Sequence, residues 1–220
     1  MKDTMSSIKA LLIEDNPGDA RLIKELLSEA GTVFDLSHAG RLDEGLMLLA
    51  VKPFDVLLLD LNLPDSNGLE TVRKVRSHAS ATPIVILTGI DDESTGVSAI
   101  HEGAQDYLVK GQIDAKLIAR AVRYAIERKK TEDALRESED KFYSISALAN
   151  EAIIVMDNDG NISFWNKAAE RLFGYQVQEC LGREAHRIFL PERFYEDYKT
   201  GFLKFRMTGK GPVVGAGFMN

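Results

Sequence analysis

The stretch DVLLLDLNLPDSNGLE at residues 55–70 decides how the rest of this 220-residue chain is read. Val56, Leu57, Leu58 and Leu59 form a solid apolar run that stops at Asp60. A short unbroken run suits a strand buried on both faces, as in a parallel sheet. Residues 10–13 and 84–87 repeat the pattern, and weaker runs at 33–37 and 107–109 bring the strand candidates to five. Helical spacing lies between them. Ile23, Leu26, Leu27 and Ala30 stand at i, i+3, i+4 and i+7, with Asn16-Pro17 as a start signal and Gly31 as a stop. Ile118, Ala121, Val122 and Ala125 repeat that spacing. Residues 1–126 therefore read as an α/β domain with a doubly wound, five-stranded parallel sheet.

Composition narrows the function. With 27 basic and 34 acidic residues the net charge is −7, which argues against a chain that binds phosphate backbones; no nucleic-acid partner is expected. The acidic excess belongs to residues 1–126, with 13 basic against 19 acidic side chains. A single cysteine, Cys180, offers neither a disulfide nor a thiolate cluster. The longest uninterrupted apolar run is six residues, 46–51, and MKDTMSSIK has no signal-peptide core. A soluble, cytoplasmic chain without membrane contact is expected.

Beyond residue 126 the pattern changes. Eleven of the fifteen residues 127–141 are charged, and Glu132 with Arg136 and Glu137 with Lys141 have the favourable i, i+4 order. Residues 127–146 read as a solvated helical linker. Ile118, Ala121, Ala125, Leu135, Phe142 and Ile145 offer a broken heptad seam for a possible homodimer. Residues 147–220 read as a third part: a hairpin from 152–156 and 162–165 about the turn Asp157-Asn158-Asp159-Gly160, then helical segments near 168–173 and past Pro191. The glycine-rich end, GKGPVVGAGFMN, is expected to fray.

In an open parallel sheet a ligand site forms beyond the carboxyl ends of the strands. There the runs end in Glu14-Asp15, Asp60, Thr88 and Lys110. Carboxylates gathered so closely repel one another unless a cation sits among them, and Mg²⁺ suits a few carboxylates, waters and a phosphate. Histidine and cysteine are missing from the strand ends and no GxxxxGK[ST] loop follows the first run, which disfavours acyl transfer and nucleotide cradling. A carboxylate attacking phosphorus uses every member. Asp60 would be the nucleophile, Glu14, Asp15 and Asp60 would hold the metal, and Lys110 and Thr88 would bind phosphoryl oxygens. The bland alternatives are a turn residue at Asp60, helix-dipole acids at 14 and 15, a cap at Thr88 and a surface charge at Lys110.

LLIEDN, DVLLLDLNLPDSNGLE, PIVILTG and DYLVKG, in that order, resemble the response-regulator receiver domain of two-component signalling over about residues 7–128. The resemblance implies an aspartyl phosphate at Asp60, a metal ligand from the Asn62 backbone carbonyl, a switch pair of Thr88 and Tyr107, and a histidine kinase or phosphotransfer protein as donor. It implies no enzymatic turnover beyond slow self-dephosphorylation. Gly111 follows Lys110 where the family usually has proline, so a cis peptide is not to be assumed there and a looser loop is expected. The segment ANEAIIVMDNDGNISFWNKAAERLFGYQ, followed by LGRE, resembles the opening half of a PAS sensor domain whose last three strands are missing. Ala185 stands where light-sensing relatives carry a cysteine, which excludes a flavin adduct. His38, His78, His101 and His186 read as structural or exposed, and Phe164 and Trp165 as core or interface aromatics. Two rivals remain. A haloacid-dehalogenase-type phosphatase needs an acid where Asn62 stands, and a small-molecule sensor would place the function in the PAS-like part.

Overall fold

The computed structural model describes residues 7–89 and 93–208 and divides into two compact units, the division falling after Leu135. In the first, β1 (Ile8–Ile13), β2 (Phe34–Ala39), β3 (Val56–Asp60), β6 (Ile84–Thr88) and β7 (Asp106–Val109) form one parallel sheet in the order β2-β1-β3-β6-β7. A two-residue ribbon, β4 (Asn62–Leu63) with β5 (Ser66–Asn67), lies just past β3. Helices α1 (Pro17–Glu29), α2 (Leu42–Val51), α3 (Leu69–His78), α4 (Glu93–His101) and α5 (Ala115–Leu148) follow successive strands.

The period-two pleat sorts the apolar runs between two cores. Leu11, Ile13, Leu57, Leu59, Ile84 and Ile86 share one core with Leu42, Val72, Val75 and Ala99 of α2, α3 and α4. Ala10, Leu12, Val56, Leu58, Val85 and Leu87 share the other with Ile23 and Leu27 of α1 and Ile118, Val122 and Ala125 of α5. Burial on both faces explains why these strands read as unbroken apolar runs. The expected signals bound α1: Asn16 caps it by accepting from the Gly18 and Asp19 amides, and Gly31 follows at φ +68°. The α2 cap lies elsewhere in sequence. Arg41 offers no side-chain cap, and the Asp65 carboxylate accepts from the Leu42 and Asp43 amides, both at 3.0 Å. Burial pushes the Asp65 carboxyl up, but those amides and Arg41 outweigh it and hold the group below its usual range.

Helix α5 runs unbroken for 34 residues through the expected linker. Glu137 pairs with Lys141 at 2.6 Å as expected, whereas Glu132 is engaged by Arg128 at 3.2 Å rather than by Arg136. Both arrangements are exposed i, i+4 pairs of similar small worth, so spacing alone cannot choose between them. The expected seam is also shortened. Ile118, Ala121 and Ala125 are buried in the sheet's core, leaving Leu135 and Ile145 exposed and Phe142 packed 4.8 Å from the Phe164 ring.

The second unit holds the antiparallel hairpin β8 (Ile154–Met156) and β9 (Ile162–Trp165), then α6 (Lys167–Phe173), α7 (Val177–Cys180), α8 (Ala185–Phe189) and α9 (Tyr195–Thr208). The short α7 and α8 were not foreseen. Ile162, Trp165, Ala169, Cys180 and Ala185 form a small core, and Asn166 fastens it by receiving the Ile153 and Ala169 amides and donating to the Ser146 and Glu151 carbonyls. Trp165 is core as expected, while Phe164 also meets Tyr143. His186 is buried between Tyr195 and Tyr198, and His38 bonds to the Glu14 carbonyl. The glycine-rich end lies outside the described residues. Among the described residues, no helix is long and apolar enough to cross a membrane.

Candidate phosphoacceptor site

The acidic group is assembled by strand register. Glu14 extends β1 by donating its amide to the Ala39 carbonyl, and Asp60 closes β3 opposite Leu87. Thr88 closes β6 opposite Val109, and Lys110 follows at once. The Lys110 ammonium meets Glu14 Oε2 at 2.7 Å, Asp60 Oδ2 at 2.8 Å and Asp19 Oδ2 at 3.0 Å. Asp60 Oδ1 accepts from the Asn62 amide at 3.1 Å, so both carboxylate oxygens are held. Glu14 is fully buried, Asp60 nearly so, and Asp15 is exposed.

Charge balance explains the group's behaviour. Burial is the main cause that pushes the Glu14 carboxyl up to about 7; Asp60 adds to it, and Lys110 and the Asn16 amide oppose it. Burial alone would lower the Lys110 ammonium, but its bonds to Asp60, Glu14 and Asp19 hold it above the ordinary lysine range. One oxygen from each of Glu14, Asp15 and Asp60 lies within 4.8 Å of the other two. Glu14 Oε2 is buried without a hydrogen bond of ordinary geometry, its contact with the ammonium being ionic. A hard divalent cation fits that donor set.

The other expected residues stand nearby in different states. Thr88 is buried and donates its hydroxyl to the Gly89 carbonyl at 3.1 Å. Asn62 is exposed and engages Asp60 through its amide. Lys110 opens a 3₁₀ turn, Lys110–Gln112, and no cis peptide occurs among the described residues. Asp19 was not foreseen; an acid in a helix's first turn reads as a dipole complement, and only the fold brings it to Lys110.

Tyr107 is half-buried against the α2–α3–α4 core. Its ring lies so close to α4 that a Cβ on Gly96 would stand 2.8 Å from Cδ2 and 2.9 Å from Cγ. Gly96→Ala should gain about 1 kcal/mol of helix propensity and lose about 1–3 kcal/mol to overpacking, because Cγ cannot retreat without turning χ1. The expected net result is destabilisation of about 1 kcal/mol in urea unfolding. Displaced Tyr107 ring resonances should accompany it.

Comparison with known proteins agrees with this geometry. Residues 10–123 match the family model described as the response regulator receiver domain, and residues 141–209 match the PAS fold. The transcriptional regulatory protein CusR of Escherichia coli (strain K12) is 37% identical over 121 residues, covering 55% of this chain and 52% of that protein. The cell cycle transcriptional regulator CtrA of Caulobacter vibrioides (strain NA1000 / CB15N) is 36% identical over 113 residues, covering 51% and 48%. The chain thus spans about half the length of the curated relatives it matches. A crystal structure of a receiver domain protein from Clostridium thermocellum is 30% identical with a TM-score of 0.50, covering 56% of this chain and 98% of that one.

Proposed function

This chain belongs to the response-regulator receiver family and carries a PAS fold after the receiver, and from that premise we propose that Asp60 is the phosphoacceptor of a two-component signalling switch. The observation that carries the reading is the Lys110 ammonium 2.8 Å from Asp60 Oδ2, beside three carboxylates close enough to share a cation. The donor is the phosphohistidine of a kinase or phosphotransfer protein. An Asp60 oxygen forms the O–P bond as the P–N bond breaks, and the electron pair leaves on the imidazole. Mg²⁺, held by Glu14, Asp15, Asp60 and the Asn62 carbonyl, would neutralise charge on the phosphoryl oxygens. Lys110 and Thr88 bind the other oxygens. The domain is an acceptor rather than a catalyst of turnover, and Asn62, which offers no acid for a leaving group, limits it to slow self-dephosphorylation.

Thr88 must give up its bond to the Gly89 carbonyl to reach the phosphoryl group. Tyr107 then turns inward, the α4–β7–α5 face repacks, and α5 relays the change through residues 127–146 toward the PAS segment. The reading keeps the divisions 1–126, 127–146 and 147–220, a cytoplasmic location and a homodimer through the linker as its working parts. A second reading draws on an open cleft of about 640 Å³ beside β8, walled by Ile154, Met156, Phe189 and Phe194, where buried His186 Nε2 has no hydrogen-bond partner. It makes the PAS segment a small-molecule sensor. A ligand that raises the melting temperature of the full chain without changing phosphorylation would favour it.

The decisive experiment is incubation with Mg²⁺ and acetyl phosphate followed by intact-mass measurement. The wild type should gain one phosphoryl group and Asp60→Asn none. Equal uptake by the variant would remove Asp60 from the acceptor role.

A further inference from the structure

The Lys110 ammonium donates hydrogen bonds to Asp60 and Asp19 and stands 2.7 Å from Glu14 Oε2 as an ion pair, so three carboxylates crowd it. An incoming phosphoryl oxygen therefore competes with them for the ammonium. Glu14 and Asp60 are fixed at strand ends, with side chains 0% and 6% exposed, so water cannot take the place of the ammonium there. Asp19 differs. It sits in the first turn of α1, its side chain is 36% exposed, and water can take over its carboxylate once the ammonium turns away.

We propose that Asp19 is a positioning residue that occupies the place of a phosphoryl oxygen on Lys110 and thereby restrains the charging of Asp60. The proposal rests on the phosphoacceptor reading above. In the unphosphorylated protein Asp19 keeps the ammonium aimed into the pocket. When the phosphoryl group arrives, with close to two negative charges, its oxygen and the Asp19 carboxylate compete for one N–H and repel each other. With acetyl phosphate, the Asp60 oxygen forms the new O–P bond, the old P–O bond breaks, and the electron pair leaves on acetate. The Lys110 N–H changes acceptor from Asp19 to phosphoryl oxygen, and no proton is transferred.

The test compares the full chain with Asp19→Asn, which keeps an acceptor oxygen but removes the charge, and with Asp19→Ser as a second variant. Three quantities are read: initial labelling rate with acetyl phosphate, affinity for beryllofluoride at saturating Mg²⁺, and affinity for Mg²⁺ alone. Removing the charge should speed labelling and tighten beryllofluoride about five- to tenfold while weakening Mg²⁺ about two- to fivefold. These opposite signs separate the proposal from simple loosening of the pocket, which would weaken both ligands. If the wild type is labelled and both variants are labelled no faster, Asp19 is not a restraint and the phosphoacceptor reading stands. If the wild type takes no label at all, that reading falls and the restraint with it.

Discussion

Lys110→Ala is expected to slow phosphoryl uptake from acetyl phosphate about a hundred- to a thousandfold, the usual loss when a fixed charge partner of developing oxyanions is removed. The same change should lower stability in the absence of divalent cations. It leaves Glu14 and Asp60 buried side by side with the ammonium gone, and breaking a buried ion pair costs about 3–5 kcal/mol, part of which Glu14 recovers by holding a proton. Mg²⁺ should restore most of the lost stability, because it supplies the positive charge the pocket lacks. Melting temperatures with EDTA and with Mg²⁺ check this. A variant whose EDTA and Mg²⁺ curves shift equally would mean that Lys110 and the cation do not share the carboxylates.

The second large effect follows from Glu14. Its carboxyl moves from an ordinary 4.5 to about 7 in the folded protein, so between those values the folded state holds more protons than the unfolded state. Metal-free stability should therefore fall as pH rises from 4.5 to 7, by on the order of 3 kcal/mol if no other group intervenes. Metal binding must expel that proton. Affinity for Mg²⁺ should climb about tenfold per pH unit below 7 and level off above it. In Glu14→Gln both slopes should flatten, with Mg²⁺ bound more weakly at every pH. Isothermal titration in buffers of different ionisation enthalpy measures the proton released directly.

Much of this site could be read from the residues ending the apolar runs, for a physical reason. Strands buried on both faces must be unbroken, so the first polar residue after each marks where the chain leaves the sheet: Glu14, Lys110 and, as the terminal residues, Asp60 and Thr88. Parallel register gathers those exits at one edge. Asp19 escaped because its partner is 91 positions away and its own surroundings are those of any helix start. Asp65 escaped for a similar reason, since a cap is sought next to the helix it closes, and this one reaches α2 from the loop beyond β3. In the second unit α7 and α8 span only four and five residues, too few to show helical spacing.

Asp65 also bears on how the pocket handles protons. Its carboxyl is held below the usual range while that of Glu14 is raised to about 7, so the two acids respond to different parts of the pH scale. Protons can enter and leave the acidic pocket near neutrality while the clasp on α2 stays ionised. The backbone carrying Asn62 thus remains anchored at its far end through that exchange. Discharge of the pocket and unfastening of the loop are separate events, the second lying on the acid side of the first.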